Sequence, residues 1–132
     1  MIRKLACICL ASASLAIASV TASDVASHKN RMDTVEDLKA NIKDALDANS
    51  GPKTIQSANE LTALMEQEEQ YWIKTQLDDV VKLIEANLAA SKLIATDAKA
   101  GHIDDAKQAY KQLATTCTEC HDLHPEKRVK QE

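Results

Sequence analysis

Glycine and proline break and turn a backbone, and this chain holds two of each: Gly51, Pro52, Gly101 and Pro125. Folds rich in β-structure need many turns, and turns draw on these residues. A chain of 132 residues with so few of them is restricted to a few long helices joined by short connections. Its length suits one domain. Phe is absent, and Tyr71, Trp72 and Tyr110 are the only aromatic side chains. A small helical domain with so little aromatic bulk has a thin core, which a large apolar prosthetic group would fill.

Apolar periodicity divides the chain into four stretches. From about Asp24 to Ala48, Met32, Val35, Leu38, Ile42 and Leu46 recur three or four apart, one face of a helix. Asn49-Ser50-Gly51-Pro52 is expected to end it, because Gly can take a left-handed cap and Pro cannot continue the helix. A second helix is expected from Lys53 or Thr54 along Ile55, Ala58, Leu61 and Met65, with a break near residues 67–72, where the run Glu66 to Gln70 carries no apolar residue. A third, on Ile73, Leu77, Val80, Val81, Ile84 and Leu88, runs from Trp72 or Ile73 to Ala100, stopped by Gly101. A fourth starts near Ile103 or Asp104 and carries Ala106, Tyr110, Leu113, Cys117 and Cys120 or His121 before Pro125 closes it. The expected fold is all-α, an antiparallel up-down-up-down four-helix bundle.

Residues 1–22 read as a secretory signal, with Arg3 and Lys4 as the positive n-region, an apolar stretch from Leu5 to Val20, and small residues Val20-Thr21-Ala22 before a cleavage point. Cys7 and Cys9 lie inside it and are assigned no function. The domain proper is then 23–132, exported to the periplasm with no stable membrane insertion. Arg3 and Lys4 are the only charges in the leader, so their removal takes the formal charge from −4 to −6. An acidic domain argues against nucleic-acid binding and permits a basic partner.

The chemistry sits in Cys117-Thr118-Glu119-Cys120-His121. C-x-x-C-H is the signature of c-type haem attachment. Two thiols three residues apart on a helix lie on nearly one face and each can add to a vinyl group of one porphyrin, and the next residue offers an imidazole to the iron. The expected cofactor is one covalent haem c, with its iron, per chain, held by Cys117, Cys120 and His121 at one end of the bundle. Three other readings exist. A thioredoxin-like pair belongs in a βαβ context, a structural zinc site needs four ligands with help from His124 or His102, and a Cys117–Cys120 disulfide would cross-link one helical turn.

The sixth ligand separates electron transfer from gas binding. Met32, Met65, His28, His102 and His124 are the candidates. In an up-down-up-down bundle the start of the first helix lies level with the end of the fourth and beside it, which favours Met32. Met65 shares that level on the second helix. A Met on an apolar face is also ordinary core filling. His28 is expected at the surface, His102 in solvent at the far turn, and His124 at the haem edge or the helix end.

Arg31-Met32-Asp33-Thr34-Val35 resembles the opening of the periplasmic cytochrome b-562 family, where a Met in such a segment ligates iron. Gln112-Leu113-Ala114-Thr115-Thr116 before His121 resembles that family's last helix, where the matching His is the other ligand. Cys117 and Cys120 depart from its non-covalent members, so the resemblance implies a c-type version of the same bundle. A second resemblance is to cytochrome c′, which also places C-x-x-C-H near the end of a four-helix bundle. Many of its members are five-coordinate behind an apolar distal residue, a place Leu38 would take here. A basic residue that closely follows the motif in that family is missing, since His124 and Pro125 stand there.

The expected function is therefore one-electron transfer with soluble redox-partner proteins, on a haem ligated by His121 and Met32. The alternative is a five-coordinate protein binding nitric oxide or another small gas, and a third reading is a haem-free bundle. An enzyme is not expected, because Asp78-Asp79 and Asp104-Asp105 read as helix-dipole complements. The run Glu66 to Glu69 reads as a solvated face. Either a monomer or a homodimer fits.

Overall fold

A computed structural model describes residues 19–127. The expected leader, residues 1–22, therefore lies outside the described residues except for its last four positions, as does the tail 128–132. Four helices form the expected antiparallel bundle: α1 Ala22–Asp47, α2 Gly51–Thr75, α3 Asp78–Lys99 and α4 Ile103–Leu123, followed by a short 3₁₀ turn Pro125–Lys127. No strand occurs among the described residues. No described helix is long and apolar enough to cross a membrane.

The helix ends follow from local chemistry. Thr21 caps α1 in a capping box: its hydroxyl accepts from the Asp24 N–H at 3.1 Å, and the Asp24 carboxylate accepts from the Thr21 N–H at 2.9 Å. The turn after α1 differs from expectation. Asn49, not Gly51, takes the left-handed conformation (φ 53°), and Gly51 is the first residue of α2. Pro52 then sits in the first turn, where its missing N–H costs nothing. After α3 the left-handed residue is Gly101, φ 78°, as expected.

The larger correction concerns α2. It does not break at 67–72 but continues to Thr75, and the chain turns at Gln76 in a left-handed conformation (φ 59°). The stripe never loses phase. Leu61, Met65, Glu68 and Trp72 are all buried, three or four apart, with Glu68 as the inward member. Ile73, expected on the third helix's stripe, is on α2 and 50% exposed.

The core falls into two clusters. The larger, built on Leu38, Ile42, Leu46, Leu61, Met65, Ile94 and Leu113, fills most of the bundle, with Met32 and Cys117 packed at its edge. The smaller consists of Trp72, Val80 and Ile84, with Tyr71, Leu77, Val81 and Cys120 against it. It lies where α2 ends and α3 begins. Consecutive helices pack closely along their length, while α1 and α4 approach each other much less. The seam between first and last helix is thus the looser side of the bundle.

Candidate functional site

A cleft of about 80 Å³, open to solvent at its mouth, lies at the end of the bundle holding the start of α1 and the end of α4. Like cofactor sites in general, it is lined mostly by apolar surface, though its volume is well below the ~300–1,000 Å³ such sites commonly span. Its walls come from both clusters: Val35 and Met65 from the larger, Trp72 and Ile84 from the smaller. Every residue singled out as a haem anchor or ligand faces it, namely Cys117, Cys120, His121 and Met32. Met65, His28 and His124 also line it. Leu38 does not: it is buried in the main core, and Val35 occupies the wall beside Met32. Six residues on a helix is a rotation of about 240°, so Leu38 and Met32 do not share a face.

α4 presents the motif as its last turns. Cys117 and Cys120 are half-buried free thiols, not joined to each other. Burial pushes the Cys117 thiol up, against the pull of Lys39 and of a hydrogen bond from Asn87. Burial, reinforced by Cys117 and the carboxylates of Asp79 and Glu119, pushes Cys120 up to about 11. Both are therefore neutral thiols at pH 7. Redox-active cysteine pairs and thiolate metal ligands need the opposite shift. Among the described residues, no three His, Cys, Asp or Glu side chains converge to hold a metal ion by themselves. Among the donors that line the cleft are two thiols, one imidazole from the same helix end and the thioether of Met32, residue types that could hold a porphyrin.

His28 corrects the expectation of a surface residue. It is buried, and its Nδ1–H donates to Glu68 Oε2 at 2.6 Å. The Trp72 indole N–H donates to the same oxygen at 3.1 Å, and the Arg31 Nε–H donates to Oε1. The His28 ring stacks on Tyr71 with centroids 4.6 Å apart and meets Trp72 edge-on at 5.2 Å. Arg31 lies over the Tyr71 ring, 5.8 Å from its centroid. Glu68, fully buried, thereby ties α1 to α2 beside the cleft. Reading Glu66 to Glu69 as a solvated face is wrong at Glu68, because Arg31 and His28 supply its compensation from another helix.

His124 ends α4, as expected, and its ring spans two carboxylates. Nε2 meets Asp79 at 2.7 Å and Nδ1 meets Glu126 at 3.3 Å. Asp79 raises the imidazole's pKa most, and His124 in turn lowers that of Asp79. His102 stands exposed at the opposite end, before α4. Sequence reasoning missed Asn87. It is buried on α3, lines the cleft, and its Oδ1 is the buried side-chain oxygen or nitrogen without a partner among the described residues. Its signal was its place in the stripe Val80, Ile84, Asn87, Ser91, Ile94, where a lone amide replaces an apolar residue.

No protein-family model, curated protein sequence or solved structure matches this chain.

Proposed function

We propose that the chain is an exported electron carrier of the periplasm, a c-type relative of the cytochrome b-562 bundle, with one haem c bound through Cys117 and Cys120 and ligated by His121 and Met32. The observation that carries this reading is convergence. The C-x-x-C-H residues and a thioether 85 positions earlier in the chain face one apolar cleft. Bound there, the haem supplies one-electron redox chemistry, its potential set by axial ligands and burial.

The chain's own residues then have distinct tasks. The two thiols anchor the group, Trp72, Ile84 and Val35 keep water from its faces, and His121 and Met32 on two different helices hold its ligation rigid. Glu68 braces the α1–α2 wall on which Met32 sits. The vacant-site, gas-binding reading looked to Leu38 as its distal wall, and that residue is packed elsewhere, so Met32 remains the residue on which the choice turns. His28, one turn before Met32, offers a second donor on the same side. Its Nδ1–H is engaged by a carboxylate, the arrangement common to ligating histidines.

The test is expression of the full chain in a host that attaches haem c, followed by oxidised and reduced visible spectra. Sharp low-spin bands and a weak sulfur-to-iron band that disappears in Met32→Ala are expected. Loss of low-spin character in His28→Ala, with Met32→Ala silent, would assign the ligand to His28. A high-spin spectrum unchanged by either variant but shifted by nitric oxide would replace the electron-carrier reading with gas binding. Folded, exported protein with no covalent haem would overturn both.

A further inference from the structure

Val25, Ile73, Leu93 and Leu123 are large apolar side chains left exposed among the described residues. Three of them, all but Leu93, lie at the end of the bundle where the cleft opens. Val25 is one turn before His28 and Ile73 follows Trp72, and both His28 and Trp72 line the cleft. The Asp24–Lys74 pair, 3.2 Å apart, brings the Val25 and Ile73 turns together. Leu123 stands between His121 and His124, which also line the cleft, and at 57% it is the most open of the four. Single exposed apolar residues are ordinary, but several gathered at one end of a molecule mark a contact surface.

The charges around Leu123 are one-sided. From Cys117 to Glu126, the end of α4 and the turn after it carry Glu119, Asp122 and Glu126 and no lysine or arginine. Beside them α3 begins with Asp78 and Asp79, tied to α4 through His124. Lys82 and the His124 imidazole are the cations of that side. Asp79 and Glu126 share His124, whereas the side chains of Asp78, Glu119 and Asp122 make no ion pair or hydrogen bond among the described residues. Asp122 lies in the last turn of α4 and Glu119 just before it, where the helix dipole is negative and a carboxylate is unfavourable. They are also one turn apart, so they repel each other. No cation within the described chain offsets that cost, and one brought by a partner would. A lone cation has no use for an exposed leucine, whereas a protein surface has.

We propose that the end of α4 is the docking surface for a basic redox protein: Leu123 is its apolar centre, Glu119 and Asp122 flank it on the same helix, and Asp78 and Asp79 flank it from the start of α3. The fitting partner carries an apolar contact ringed by lysines or arginines. The assignment rests on the haem reading above, because it sets the partner beside the mouth of the cleft. Transient redox interfaces are small, with an apolar core and a polar rim. Opposite charges across such a rim speed encounter more than they tighten the complex. Val25 and Ile73 extend the apolar contact on the α1–α2 side.

The experiment follows oxidation of the reduced, haem-loaded chain by stopped flow with two probes, a lysine-rich basic cytochrome c and hexaammineruthenium(III), a small cation with no apolar surface. Glu119→Gln with Asp122→Asn should slow the reaction with the basic cytochrome about tenfold at low salt and flatten its salt dependence. The same double variant should melt at a higher temperature than wild type, because it relieves the negative end of α4. A purely structural role for the two carboxylates would lower the melting temperature instead. Leu123→Ser should slow the basic cytochrome and spare the ruthenium complex. Asp104→Asn with Asp105→Asn, an equal charge change at the far end of the bundle, and Leu93→Ser should keep both rates within about twofold of wild type, since distant charges are screened. Equal slowing by the near and far double variants, or a Leu123→Ser chain as fast as wild type with the basic cytochrome, overturns the docking surface. So does slowing confined to the ruthenium complex, which would assign the carboxylates to a small cation. Each of these leaves the haem reading standing, because the haem spectrum is recorded on the same samples. Folded, exported chain without covalent haem overturns both.

Discussion

Glu68 shows how far one residue's setting depends on partners distant in sequence. Its carboxylate is fully buried and accepts from His28, Arg31 and Trp72. Of these, His28 and Arg31 are 40 and 37 positions away. Locally it reads as one acid in the polar run Glu66 to Gln70. Removing one member of a buried ionic cluster leaves the others desolvated and uncompensated, at a cost of about 3–5 kcal/mol. Glu68→Ala should lower unfolding stability by that order, seen as a lower denaturant midpoint at unchanged slope. Glu68→Gln, which keeps an acceptor for one of the three donors, should lose less. Asn87 was illegible for a related reason. A buried amide in an apolar stripe announces itself, but its partner, Cys117, belongs to another helix.

Among the elements, helices were easier to read than their ends. The stripes of α1, α3 and α4 stand in the sequence because burial selects one face every three or four residues. The α2–α3 boundary was misplaced because nothing local marks it. Gln76 takes a left-handed conformation that Gly usually serves, and the chain turns there because α2 stays packed through Trp72. Where α3 begins and α4 ends, the two are tied by Asp79 and His124. Asp79 lifts the imidazole above its ordinary 6.5, with Glu126 assisting, and His124 holds Asp79 below its ordinary 3.8. The His124 contribution is complete below about pH 6.5 and is lost as pH rises through its raised value. The Asp79 contribution is present above about pH 3.8 and is lost as pH falls through its lowered value. The tie is therefore strongest between those limits. The gap in melting temperature between wild type and His124→Ala should be widest near pH 5–6, and should shrink at pH 9 and at pH 2.

For the whole molecule, the looser seam between α1 and α4 and the division of the core into two clusters meet at the cleft. A bundle whose ends are held apart by a bound group is weakest there when the group is missing. Amide exchange should show the first turns of α1 and the last turns of α4 as the least protected helical segments of haem-free chain. Covalent haem should raise protection there far more than around Ile42, Leu46 and Ile94. Equal gains throughout would mean that the cleft is not where the group binds. By itself the sequence determined the helical class, the count of four helices, the antiparallel order and the motif at the end of the last one. Those depend on periodicity, chain breakers and residue type within a few positions. Only the tertiary structure decided that Glu68 and His28 point inward, that Leu38 is core and not cleft wall, that α2 runs on to Thr75, and that Asn87 faces Cys117. Each of those depends on what a neighbouring helix offers across the interface, and charge compensation and packing between helices leave no trace in the local pattern.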